Sequence, residues 1–244
     1  LIEKQKQHFQ IDTPPLKKID SEEDLSDTQI NVKEVFSHSK FNFGESDKEL
    51  SKLGILSLKE ATKAIKDNKI DIMVTAPINK DVSFSESFKY TGHTDFLKNY
   101  FRRSPLMLMI SKELKIALLT DHIPIKDVSN AINQDIVEQK IKALEKSLIN
   151  DFQIKKPKIA VLAVNPHAGD NGVIGNEDQS IITPAINSFK GTTSSINGPF
   201  SADTFFVNEN YKKYDGIIAS YHDQGLIPFK TISFGKGVNF TAGL

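Results

Sequence analysis

Three histidines share one placement. His122, His167 and His222 each follow a short apolar run, in KIALLTDH, KIAVLAVNPH and GIIASYH. Apolar runs of this length, bounded by polar residues, read as buried strands. If the three strands lie side by side and run the same way, their ends gather three imidazoles. Three neutral imidazoles with one open position form a catalytic divalent-metal site. Their wide separation in sequence excludes a zinc finger and suits ligands drawn from separate strands. For any one of them the plainer alternative is a polar loop residue, since neutral imidazole is a common buried hydrogen-bonding group. Asp121, Asp170 and Asp223 lie near the three histidines. A carboxylate there either orients a ligand through its second ring nitrogen or only caps a turn.

The richest stretch is Tyr214 to Lys230, YDGIIASYHDQGLIPFK. Tyr221, His222, Asp223, Gln224 and Gly225 follow its apolar run. In open α/β sheets, ligands bind beyond the carboxyl ends of strands. The competing reading is a polar loop with a capping Asp and a turn glycine. Lys230 and Lys236 flank a small glycine region. A lysine holds phosphate or carboxylate as a point charge, although most surface lysines are simply solvated. Asn239 stands in an apolar run and reads as a polar group aimed at a ligand. Gly169, Gly172 and Gly175 spell G-x-x-G-x-x-G, and no P-loop lysine follows. As a nucleotide fingerprint this is poor, but it lets backbone approach a ligand closely.

The elements that must position these groups alternate between helix and strand. Leu1–Phe9 reads as the tail of a helix, broken by Asp12-Thr-Pro-Pro15. Lys17–Ser51 is charged and poorly periodic, a loop-rich outer region. Ile55, Leu58, Ala61 and Ile65 recur at three and four residues and predict a helix ended by Asp67-Asn68. Ile70–Thr75 is a strand candidate, followed by a loop over Ala76–Lys80. Thr94 or Asp95 can cap a helix begun by Phe96. Pro105–Ile110 and Lys115–Thr120 read as strands joined by a hairpin-sized gap, which makes the sheet mixed. Val137, Ile141, Leu144, Leu148 and Phe152 mark the strongest helix. Lys158–Val164 is a buried strand, Asn165–Gly175 a glycine-rich loop, Glu177–Phe189 helical and Gly198–Thr204 a loop. This alternation is α/β grammar. No linker marks a domain boundary.

Composition narrows the function. With 244 residues, 39% of them hydrophobic, the chain can bury a core as one large or two small domains. Lys+Arg 31 balance Asp+Glu 31 with no basic cluster, which speaks against nucleic acid or an anionic membrane as the main partner. The absence of cysteine excludes disulfides, thiolate metal sites and a Cys nucleophile, and fits a reducing compartment. No apolar run nears the roughly 18 residues of a membrane span, and no signal peptide opens the chain. A cytoplasmic location is expected.

TGHTDFL, NPHAGDNG, GPFSADT, YHDQGLIPFK and GKGVNFTAGL occur in this order. Together they closely resemble the 4-hydroxythreonine-4-phosphate dehydrogenase family of pyridoxal phosphate biosynthesis. The resemblance runs from about Gly54 to Leu244, and Leu1–Ser51 matches poorly. It implies a two-lobed α/β fold similar to the isocitrate and isopropylmalate dehydrogenases. Residues 1–244 would then form one such enzyme, with its active site in the interlobe cleft and at a homodimer interface. The implied reaction oxidises C3 of 4-phosphooxy-L-threonine with NAD or NADP. Decarboxylation to 3-amino-2-oxopropyl phosphate follows. The family holds one divalent cation per active site (Zn, Mg or Co) by three histidines shared between subunits, and these fall on His122, His167 and His222. Its substrate-contacting His-Thr pair falls on His93 and Thr94. Its substrate-binding Lys and Asn fall on Lys230 and Asn239, and Asp203 matches an acidic residue near the metal. Lys230 and Asp203 are the expected catalytic groups; nucleotide contacts stay unassigned. The family's opening strand and its substrate-binding Arg have no counterpart here, so both ends are expected to be incomplete.

Three alternatives remain at this point. One is a paralogous dehydrogenase of another phosphorylated hydroxy acid. The second is a three-His metal-dependent hydrolase, which would turn over without NAD. The third is an inactive binding protein, against which retention of all three candidate ligands argues.

Overall fold

The structure, a computed structural model, describes residues 1–37, 41–45, 48–79, 88–90, 92–103 and 105–243. His38, Lys80, Thr91 and Leu244, which fall within stretches read above, lie outside the described residues. The chain divides into two compact units, Leu1–Leu97 and Lys98–Leu244.

In the first unit, α1 (Ile2–Phe9) ends at Gln10, which turns left-handed at φ 52 just before Asp12-Thr-Pro-Pro15. Two short strands follow, β1 (Leu16–Ile19) and β2 (Ile30–Lys33), paired parallel with Leu16 opposite Ile30. They correct the loop reading of Lys17–Ser51. Each spans four residues and carries lysine among its apolar residues, too little for a period-two signal. The helix α2 (Lys48–Lys66) buries Ile55 and Leu58 of the predicted stripe, with Thr62 buried where the pattern has Ala61; Ala61 and Ile65 are half-buried, and Asn68 (φ 54) lies just beyond the helix end. Ile70–Thr75, in contrast, forms no strand. Ile72 and Val74 are 78% and 92% exposed. Alternating apolar residues supply the side chains of a strand, but a strand exists only where a neighbour takes its backbone groups. No described strand pairs with this segment. Buried Phe88 packs its ring 5.2 Å from Tyr90 and 5.5 Å from Phe96, near the start of α3 (His93–Phe101). Thr94 and Asp95 stand inside the first turn of α3 rather than capping it.

The second unit is built on a six-stranded sheet in the order β6-β5-β7-β4-β3-β8. Its strands are β3 (Leu106–Ile110), β4 (Lys115–Leu118), β5 (Lys158–Leu162), β6 (Ser195–Phe200), β7 (Gly216–Ala219) and β8 (Val238–Ala242). β6, β5, β7 and β4 run parallel; β3 opposes both β4 and β8, so the sheet is mixed as expected. Alternate residues feed two cores. Ile159 and Val161 face α5 (Gln134–Asn150), whose stripe of Val137, Ile141, Leu144 and Leu148 is fully buried. Ala160 and Leu162 face the opposite core, with Phe205, Leu226 and Phe229. Two shorter helices, α4 (Val128–Ala131) and α6 (Thr183–Asn187), lead into and away from these layers, and α7 (Ala202–Phe205) follows β6.

Two further readings are corrected here. Gly198 and Pro199 belong to strand β6, which continues to Phe200. A Gly-Pro pair looks like a turn, but β6 is an edge strand, where proline is tolerated. The segment from His222 is also no loop. It is the helix α8 (His222–Ser233), with Pro228 inside it. Gly225 makes no turn. A Cβ there would stand 2.8 Å from Leu118 Cδ2 and 3.0 Å from Ile116 Cγ2, so glycine is what lets α8 lie close on the sheet.

Candidate functional site

β5, β7 and β4 are consecutive and parallel, so their carboxyl ends open on one edge. His167, His222 and His122 follow those three ends. Hydrogen bonds extend the ladder past the strands. Leu119 N donates to Ala219 O at 2.9 Å, and Thr120 Oγ1 donates to Ser220 O at 2.8 Å. Gln224 ties the other side, accepting from Ser220 N at 2.7 Å and donating to Ala163 O at 2.8 Å. These links hold the segments before His122 and His222 in step. The two imidazole centroids lie 5.4 Å apart. They border a cavity of ≈ 280 Å³ with Asp121, Ile125, Tyr221 and Asp223.

The donor chemistry here suits a divalent cation. His222 Nδ1 lies 2.7 Å from Asp223 Oδ1, an arrangement that engages one ring nitrogen and leaves Nε2 to ligate. Asp121 Oδ1 is buried with no hydrogen-bond partner among the described residues. A buried carboxylate oxygen without a partner is rare enough to point to a missing cation or donor. Lys140 supplies some countercharge: burial pulls its ammonium pKa down, and Asp121 pulls it part of the way back.

His167 does not join this pair. Among the described residues no group of three His, Cys, Asp or Glu side chains gathers closely enough to hold a metal. His167 instead lies within electrostatic reach of Asp203. The Ser201 hydroxyl, hydrogen-bonded to Asp203 Oδ1 at 2.6 Å, holds that carboxyl below its usual range, and His167 adds to the effect. Asp203 borders a second cavity, of ≈ 620 Å³, which shares Tyr221 and Asp223 with the first.

Within the second unit, Lys230 and Asn239 stand away from the ends of β4, β5 and β7. Lys230 is exposed, eight residues along α8 from His222, roughly 12 Å at 1.5 Å per residue. Asn239 is exposed on edge strand β8, opposite Met109, which in turn pairs with Ile116. That row is three residues, roughly 10 Å, short of the row in which Ala242 meets Leu106 at the histidine edge. In the first unit, His93 and Thr94 occupy the first turn of α3, and burial pushes the His93 imidazole below its ordinary pKa.

Sequence reasoning passed over Glu177, Asp178 and Ser129, which tie the His167 loop to its surroundings. One signal was available. Asp178 precedes Ile182, Ala185 and Ile186 at helical spacing, so a carboxylate sits on the core-facing stripe, and it is fully buried.

Residues 1–244 match the family described as pyridoxal phosphate biosynthetic protein PdxA. The 4-hydroxythreonine-4-phosphate dehydrogenase of Bacteroides thetaiotaomicron is 40% identical over 207 residues, 84% of this chain and 57% of that protein. The enzyme of the same name from Sulfurihydrogenibium is 43% identical over 203 residues, 83% of this chain and 62% of that one. The chain thus spans less than two thirds of the length of these curated relatives. A crystal structure of 4-hydroxythreonine-4-phosphate dehydrogenase from Klebsiella pneumoniae superimposes with a TM-score of 0.80 at 30% identity, covering 96% of this chain and 72% of that one. A terephthalate 1,2-cis-dihydrodioldehydrogenase from Burkholderia xenovorans, at 22% identity and a TM-score of 0.65, shares the fold.

Proposed function

Since the chain belongs to the pyridoxal phosphate biosynthetic protein PdxA family, we propose that it works as a 4-hydroxythreonine-4-phosphate dehydrogenase. In this reading it oxidises 4-phosphooxy-L-threonine at C3 with NAD or NADP, and the product decarboxylates to 3-amino-2-oxopropyl phosphate. The observation that carries the reading is the convergence of His122 and His222 beside a cavity with an Asp121 oxygen unpartnered among the described residues.

His122 and His222 would hold a divalent cation from one chain. His167 would come from a second copy in a homodimer, which accounts for the absence of a three-donor group within one chain among the described residues. When bound, the cation supplies a Lewis acid that acidifies the substrate hydroxyl, and the nicotinamide supplies a hydride acceptor. Asp223 orients the His222 ring. Asp203, kept ionised by Ser201, is a weak proton acceptor and serves better as fixed negative charge beside His167. Lys230 would bind an anionic group of the substrate or return a proton to the decarboxylated carbon, with Asn239 adding a hydrogen bond. His93 and Thr94 would hold the phosphate at the amino end of α3, where backbone N–H groups favour anions. The two-lobed architecture with a catalytic cleft, and a cytoplasmic location, belong to the same proposal. No described helix is long and apolar enough to cross a membrane.

The test is nicotinamide reduction. With 4-phosphooxy-L-threonine and NAD or NADP, absorbance at the reduced-nicotinamide wavelength grows, and either a chelator or His122→Ala stops it. Phosphate release without nicotinamide would move the assignment to a metal-dependent hydrolase.

A further inference from the structure

We propose that Glu177 and Asp178 form a clamp that positions His167 and ties its loop to the segment carrying His122, an inference that rests on reading His167 as a metal ligand. The loop is strained. His167, Ala168, Gly169, Asp170 and Asn171 are all left-handed, with φ of 52, 53, 80, 42 and 54. Four of the five carry a Cβ, which crowds the following carbonyl in this region. Such a run persists only where its surroundings over-determine it.

The two carboxylates supply that surrounding. Asp178, fully buried, accepts from Val164 N at 2.8 Å, Asn165 N at 3.0 Å and Asn165 Nδ2 at 3.1 Å. It therefore fixes the chain two residues before His167. Glu177 Oε2 accepts from the same Asn165 Nδ2 at 2.8 Å, and its Oε1 accepts from Ser129 Oγ at 2.6 Å. Ser129 lies in α4, seven residues after His122. One side chain thus bridges the segments that follow β4 and β5. The far end of the loop closes on the clamp. A Cβ on Gly175 would stand 2.7 Å from Asn165 Nδ2 and 2.8 Å from Glu177 Oε2, and a Cβ on Gly169 would stand 2.5 Å from Gly175 O. Beyond the Glu177 and Asn176 backbone amides, the kind an acidic helix start engages, these oxygens reach the exit of β5 and another segment. The Ser129 hydroxyl, then the Asn165 amide, hold the Glu177 carboxyl below its ordinary range, so it stays ionised.

The test uses Glu177→Ala and Glu177→Gln in this chain, with Co2+ as the probe. Two readouts are taken: the visible absorption of bound Co2+, and amide hydrogen exchange over residues 164–176. Glu177→Ala should weaken Co2+ binding about 10- to 100-fold, as loss of a ligand-orienting partner does, and should speed exchange over 164–176 while α5 keeps its protection. Glu177→Gln retains an acceptor for Asn165 and a donor for Ser129, and should restore both readouts to within about threefold. Unchanged exchange over 164–176 in Glu177→Ala overturns the clamp, as does equal loss in both variants. If the wild-type chain takes up no Co2+, the metal reading fails by itself. Exchange alone then decides the clamp, with faster exchange in Glu177→Ala supporting it.

Discussion

His93 is partly withdrawn from water in the first turn of α3, and burial alone depresses its pKa. Desolvation penalises the imidazolium, so the folded chain binds this proton less readily than the unfolded chain. The stabilisation from keeping His93 neutral is present above the unfolded value of about 6.5 and is lost as pH falls through the lower folded value. An anion at this helix end reverses the preference, because it favours the charged ring. In a proton NMR titration, His93 should therefore reach its midpoint below the ordinary imidazole value in chloride. Inorganic sulfate at matched ionic strength should raise that midpoint, and His93→Ala should remove the signal that moves. A midpoint indifferent to sulfate would detach His93 from phosphate binding.

Helix α8 shows what a single glycine contributes to an element. Gly225 lets the helix rest within 3.1 Å of where its Cβ would meet Ala219 Cβ, with Leu118 and Ile116 nearer still. Gly225→Ala should cost about 1–3 kcal/mol through overpacking, despite alanine's better helix propensity. Gly54, within α2, has nothing among the described residues within 4 Å of its added Cβ, so Gly54→Ala should gain up to about 1 kcal/mol. Denaturant melts of the two variants should shift in opposite directions; a shared sign would contradict the close helix–sheet contact. The same contrast separates what the sequence discloses from what it hides. α5 and strands β3, β4, β5 and β7 were legible because their signal is local, an apolar stripe or a continuous apolar run. β1, β2 and β6 were not, being short, interrupted by lysine, or ended by Gly-Pro. Ile70–Thr75 read as a strand because its alternation is local while the pairing that makes a strand is not. Gly225 resembled a turn glycine because the strand residues nearest it, Leu118 and Ile116, come from more than a hundred positions away. At the site, the repeated strand-then-histidine placement was readable. The carboxylate clamp was not, because two of the three donors to the Asp178 carboxylate are backbone amides, which have no sequence signature.

The parallel run β5-β7-β4 accounts for the histidines opening on one edge; among the described residues His167 forms no three-donor group with the other two, so the proposed three-ligand site needs either a second copy or a movement of His167. If His122 and His222 of one copy meet His167 of another, the three ligands can be supplied by different damaged chains. A closed two-fold dimer has two equivalent sites. Each of His122→Ala and His167→Ala alone should then leave Co2+ sites incomplete. Refolded together in equal amounts, roughly half of the dimers would be mixed, and each mixed dimer keeps one site with all three imidazoles and one with a single imidazole. Tight Co2+ binding should therefore return to roughly a quarter of the wild-type stoichiometry, and nicotinamide reduction with it. The pair His122→Ala and His222→Ala gives the control, since both ligands come from the same copy in this arrangement and no mixed dimer would hold an intact site. Recovery in the control but not in the first pair would assign the shared ligand to His222 rather than His167. No recovery in either pair would mean that one chain assembles the whole site, by a movement that brings His167 to the other two.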